Sequence, residues 1–124
     1  MLARHDDRSA RKLKAAYLEY TSSQIDYYAG LHKQVFGREI PQVMLLHVNR
    51  LNAAVLEDVL AMFETKGYQF VSLAKAQMDP AFATPETHVS KWGPMWGYRW
   101  ASVRGVKVDA TKEAEPPNWV TRYR

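Results

Sequence analysis

At 124 residues, with 47% hydrophobic and 24% charged residues, the chain has the composition of a single globular domain. It contains no cysteine, which excludes disulfides, thiolate nucleophiles and cysteine-based metal sites. The formal charge of +4 is mildly basic, with much of the excess near the two ends. A solvated helix face and a frayed tail account for it, so no nucleic-acid partner is expected. No stretch approaches the ~20 apolar residues that span a bilayer. The opening residues, MLARHDDRSARKLK, lack the apolar centre of a secretory signal. No membrane partner is expected, and the compartment stays open.

From Asp7 to Phe36, Leu13, Ala16, Tyr17, Tyr20, Tyr27, Tyr28, Leu31 and Val35 fall mostly three or four apart. That spacing predicts one long amphipathic helix, started by Asp6 or Asp7 and ended at Gly37. Its length would be roughly 45 Å. A compact domain of this size has a radius of gyration of only ~14 Å, so the helix is expected to project, bend or break near Ser22 and Ser23.

Pro41 closes the loop that follows, and QVMLLHV is then an uninterrupted apolar run. Such a run reads as a strand covered on both faces. Asn52 is placed to cap a helix from Ala53 to Lys66, with Val55, Leu56, Val59, Leu60 and Phe63 on its buried face and Gly67 after its end. YQFVSL reads as a second strand, and Ser72 as the cap of a short helix through Ala76. Strand, helix and strand at this spacing predict a right-handed βαβ unit with parallel strands. His47 then falls at the C-terminal end of the first strand, where α/β folds build their sites.

Beyond Asp79-Pro80 the pattern weakens. The Pro-, Gly- and aromatic-rich stretch to Ala101 reads as irregular, with one helical turn from Met95, and residues 106–124 as a poorly ordered tail. Two parallel strands leave two open edges and cannot cover the apolar helix faces, so the sequence reads as part of a larger α/β domain.

Candidate chemistry is sparse. None of His5, His32, His47 and His88 stands at helical metal-ligand spacing with another ligand-type residue. His5 and His32 read as exposed helix residues, and His88 lies in a loop. His47 is either a strand-end histidine satisfied by backbone bonds or a proton donor and acceptor near neutral pH. Glu57 and Asp58 lie on the outer face of their helix, and Asp79 starts a turn. No carboxylate pair, phosphate loop or nucleophile elbow is present. On these residues alone, the chain falls short of an enzyme.

The stretch IPQVMLLHVNRLNAAVLEDVLAMFETKGYQFVSLAKAQMDPAF resembles the C-terminal part of polysaccharide deacetylases, the NodB-homology enzymes. The likeness runs from about position 10 to 101, and its most specific piece is LLH followed by asparagine, LNA and GYQFVSL. The resemblance implies a distorted (β/α) barrel, here a partial one: a single βαβ unit preceded by a long helix, with an aromatic-rich irregular region after it. Residues 1–105 would be the C-terminal part of the domain and 106–124 its tail.

Deacetylases of this kind remove N-acetyl groups from amino-sugar polymers with a divalent metal, often zinc, and members are often exported. The resemblance assigns His47 as the catalytic histidine that protonates the leaving amine and Leu45 as a substrate-binding residue in the acetyl pocket. The family's metal ligands and catalytic base have no counterpart in this sequence, so no cofactor is expected in this chain and no activity from it in isolation. Two other readings stand beside this one. One is a carbohydrate-binding remnant using Trp92, Trp96 and Trp100, whose alternative role is to plug the core. The other is an interaction protein that self-associates through exposed sheet edges.

Overall fold

The computed structural model describes residues 7–89 and 91–121. The described residues are 61% helical, and there is no strand among them. The elements are α1 (Asp7–Phe36), α2 (Arg50–Thr65), α3 (Leu73–Ala76), a 3₁₀ turn (Pro80–Ala83), α4 (Trp96–Arg104), a second 3₁₀ turn (Ala110–Lys112) and α5 (Asn118–Thr121).

This overturns the partial (β/α) barrel. Both apolar runs expected as strands, QVMLLHV and YQFVSL, lie in irregular chain, apart from the first turn of α3 at Leu73. The physical reason lies in pairing. A strand exists only as one side of a hydrogen-bonded ladder, and a short apolar run carries no information about its partner. Neither run pairs as a strand among the described residues, and several of their apolar side chains are exposed: Leu45 is 82% exposed, Val48 106% and Phe70 55%.

The helices follow local rules. α1 is continuous through Ser22 and Ser23, with the Ser23 hydroxyl donating to the Tyr20 carbonyl oxygen at 2.7 Å. It stops at Gly37, whose φ of 69° is the left-handed turn a side chain resists. Asp6, one of the two candidate caps, lies outside the described residues. α2 begins three residues before the expected start. Asn49 is its N-cap, accepting from the Asn52 backbone N–H at 2.8 Å. Ser72 caps α3 as its position predicts, and α4 extends the single turn expected after Met95 to nine residues.

The chain divides into two units. The first gathers residues 1–24, 45–69 and 114–124. In it, α2 buries Val55 and Val59, each 1% exposed. The expected partners on that face, Leu56 and Leu60, are 43% and 40% exposed, because each sits one position, about 100° of helix, away from a buried valine. The Tyr17 hydroxyl donates to Asn52 Oδ1 at 2.5 Å and ties α1 to α2. Lys12 lies over the Trp119 ring at 4.5 Å and joins α1 to α5.

The second unit gathers residues 25–44 and 70–113. Its core is Leu31, Val35, Ile40, Ala81, Trp100 and Ala101, with Tyr27, Tyr28, Phe36, Phe82, Tyr98, Val106 and Val108 packed around it. Burying a large apolar side chain of this kind contributes about 1.5–3 kcal/mol. α4 approaches α1 at Gly97, where a Cβ would stand 2.8 Å from both Leu31 Cδ2 and His32 Cδ2. A bidentate pair, Arg38 to Asp79 at 2.6 and 2.9 Å, fastens the chain after α1 to the first 3₁₀ turn.

Candidate functional site

The local sequence HVNRLN fixes the backbone around His47. Asn49 caps α2 and receives the backbone N–H of Asn52, which orients the Asn52 side chain. Its Nδ2 donates to the His47 carbonyl oxygen at 2.7 Å, while its Oδ1 accepts from Tyr17. One asparagine amide thus has both its ends engaged, one holding the His47 main chain and the other holding α1.

The imidazole itself is exposed and makes no hydrogen bond or ion pair among the described residues. Leu45, two residues earlier, is equally uncovered. The structure therefore presents both predicted site residues to solvent on one irregular segment, with no strand behind them. The strand-end alternative, in which backbone bonds satisfy the imidazole, is not what the geometry shows.

A metal does not fit the described side chains. No three of His, Asp and Glu converge among the described residues. His88 is exposed in its loop, where its backbone N–H donates to Glu86 Oε1 at 3.0 Å. His5 lies outside the described residues.

His32 differs from its expected place on an exposed helix face. It is buried at 9% exposure, with Nδ1 at 2.7 Å from Gln42 Oε1 and its ring 5.2 Å from that of Trp100. The glutamine oxygen accepts, so the Nδ1 proton is present. Burial pushes the His32 pKa down, opposed by the Gln42 bond. The signal for this was in the sequence: Tyr28, His32 and Phe36 stand four apart and continue the apolar stripe.

The tryptophans part company. Trp100 is a core residue at 6% exposure, its ring edge-on to Phe36 at 5.3 Å and to Phe82 at 5.4 Å. Trp96 is 38% exposed and Trp92 79% exposed, with Lys91 Nζ 5.3 Å from the Trp92 ring. Core plugging therefore describes Trp100, while Trp92 is largely exposed with Lys91 over its ring.

A polar cluster that sequence reasoning missed joins α1, α4 and the chain after α4. Glu113 accepts from the Tyr28 and Tyr98 hydroxyls, each at 2.7 Å, through different carboxylate oxygens. The Tyr27 and Tyr98 hydroxyls lie 2.9 Å apart. Burial, then the hydrogen bond and charge of Glu113, drive the Tyr28 phenol well above its ordinary range. Tyr98 moves the same way, again mainly through burial. These phenols stay protonated and serve as donors to one carboxylate, which is a structural arrangement. Tyr27 and Tyr28 are visible in the sequence as stripe residues, but nothing local connects them with position 113.

Comparison of the chain with protein-family models, with curated proteins and with solved structures gives no match. No helix among the described residues is long and apolar enough to cross a membrane.

Proposed function

We propose that this chain is the C-terminal segment of a metal-dependent polysaccharide deacetylase, acting on N-acetylated amino-sugar polymers only when other polypeptide supplies the metal ligands and the base. The observation that carries the proposal is the pairing of the LLH sequence with an uncovered, unpartnered imidazole at His47 and an uncovered Leu45. Amide hydrolysis expels a poor amine leaving group, and a histidine in its protonated form is a suitable donor to that nitrogen. An acetyl methyl group is small and apolar, so a leucine side chain suits the wall of its pocket. In this reading the chain contributes these two functions, and His47 acts as one part of a divided site.

The test is a chimera. Residues 42–101 replace the corresponding portion of an active chito-oligosaccharide deacetylase, and acetate release is followed with and without divalent metal. The reading expects metal-dependent acetate release by the chimera, loss of at least about a hundredfold on His47→Ala, in line with the worth of general acid catalysis, and none from the chain alone. Acetate release by the isolated chain, or a chimera that folds and is indifferent to His47→Ala, contradicts it.

A second reading is favoured by Trp92: its indole, 79% exposed, is of the type that stacks on a sugar ring, which would displace Lys91 from over it. Tryptophan fluorescence titrated with chito-oligosaccharides tests it, and a spectrum unchanged at saturating sugar removes it.

A further inference from the structure

We propose that the outer apolar column of α2 is a seam on which a second copy of this chain docks, its own α2 running antiparallel. The column lies wholly within the first unit. Ala53, Leu56, Leu60 and Phe63 stand three, four and three apart, so they line one stripe along the helix axis. Val55 and Val59 are already buried on the neighbouring face, about 100° round the helix from Leu56 and Leu60. The stripe itself is largely uncovered: Leu56 is 43% and Leu60 40% exposed, Ala53 is exposed and Phe63 is half-buried. Alternating steps of three and four are the spacing that packs against another helix, each side chain entering a hole between four of the partner's.

What complements this stripe is the stripe itself, turned end for end about a two-fold axis level with Asp58. Leu56 then lies opposite Leu60 of the second copy, and Ala53 opposite Phe63, a small side chain against a large one at each end. The charged border complements itself too. Arg50, Glu57 and Glu64 stand seven apart along one side of the stripe, all exposed, and none makes an ion pair among the described residues. The same axis brings each Arg50 beside Glu64 of the second copy, giving two symmetry-related ion pairs, while Glu57 meets its own counterpart. A parallel pairing loses both features, because Ala53 meets Ala53 and Arg50 meets no carboxylate. One surface that satisfies itself on both sides of the axis is what an isologous contact requires. Four apolar residues from each copy make a small seam, so the association is weak and concentration-dependent. The inference does not depend on the deacetylase reading.

The test is sedimentation equilibrium of the full chain and four variants. The unaltered chain is expected to show a monomer–dimer equilibrium at concentrations up to about 1 mM, the range of weak association. Leu60→Asp, at a position already 40% exposed, is expected to abolish the dimer while helical circular dichroism stays unchanged. Arg50→Glu turns two attractive pairs into repulsive ones and is expected to weaken the dimer about tenfold. Arg50→Glu combined with Glu64→Arg is expected to restore it. Each of these changes places the charge that its end of the helix dipole favours, so a lost dimer is not a lost helix. Glu57→Gln removes the one like-charge encounter and is expected to tighten the dimer at least about twofold. A chain that stays monomeric at millimolar concentration overturns the proposal. So does a dimer that Leu60→Asp leaves intact, or an Arg50→Glu loss that Glu64→Arg does not restore.

Discussion

Gly97→Ala sets two effects of opposite sign against each other, and the structure decides between them. Gly97 lies in the first turns of α4, where alanine is a better helix former by about 1 kcal/mol. Against that gain, a Cβ would stand 2.8 Å from Leu31 Cδ2, 2.8 Å from His32 Cδ2 and 2.9 Å from His32 Nε2. Leu31 is 5% exposed and His32 9%, and the imidazole is tied to Gln42, so neither side chain has an open direction in which to retreat. Overpacking of this kind costs about 1–3 kcal/mol. The net expectation is a loss of stability of up to about 2 kcal/mol, hence a urea midpoint lower by up to roughly 1 M for a chain of this size. Urea unfolding followed by tryptophan fluorescence measures it, since Trp100 belongs to the same core. In a Leu31→Ala background the penalty should shrink, because one of the two obstructing side chains is gone. A Gly97→Ala chain more stable than the original, or an identical penalty in both backgrounds, refutes the close approach of α4 to α1.

His32 predicts a pH dependence. Its folded-state pKa lies below the ordinary 6.5, so the unfolded chain binds the proton more readily. The stability it confers is complete above about pH 6.5 and is lost as the pH falls toward the lower folded value. Urea midpoints at pH 7.5 and 5 should differ more in the original chain than in His32→Gln, and equal differences would count against a buried neutral imidazole. Glu113→Gln leaves one phenol an amide oxygen to donate to and sets an NH₂ donor against the other, an expected cost of about 1–3 kcal/mol by thermal unfolding. In the same variant the Tyr28 phenol should ionise at lower pH than before yet still above the ordinary 10, because burial remains; ultraviolet difference spectra read this directly. Asp79 is held down to about 2 by the Arg38 guanidinium and then by the Ala81 backbone N–H. Its contribution should be present above about pH 4, the ordinary aspartate range, and fade as the pH drops toward 2. Asp79→Asn should remove that part of the acid transition.

The helices were legible because their signals are local. Gly37, Gly67 and Ser72 each stand at the helix boundary that their backbone chemistry favours. The stripe from Leu13 to Val35 likewise suffices to define α1. The strands were misread because VMLLHV is as apolar as a buried strand while its state depends on a neighbour that the run does not specify. Leu56 and Leu60 were placed inside for a related reason: a helix with two adjacent apolar columns does not reveal which one its partner covers. His47 and Leu45 were legible as residues, from the resemblance, but their exposure was not. The Glu113 cluster lay beyond reach because Tyr28 and Glu113 stand 85 positions apart.

That separation also governs the order of events during synthesis. Tyr28 leaves the ribosome long before residue 113 is made, and until then its hydroxyl lacks the Glu113 carboxylate. The second unit's aromatic face is therefore completed late, by a contact of high sequence separation whose loop-closure entropy must be met first. A nascent chain halted before position 113 would carry α1 with its Tyr28 contact to Glu113 still unmade, a surface that the finished fold withdraws.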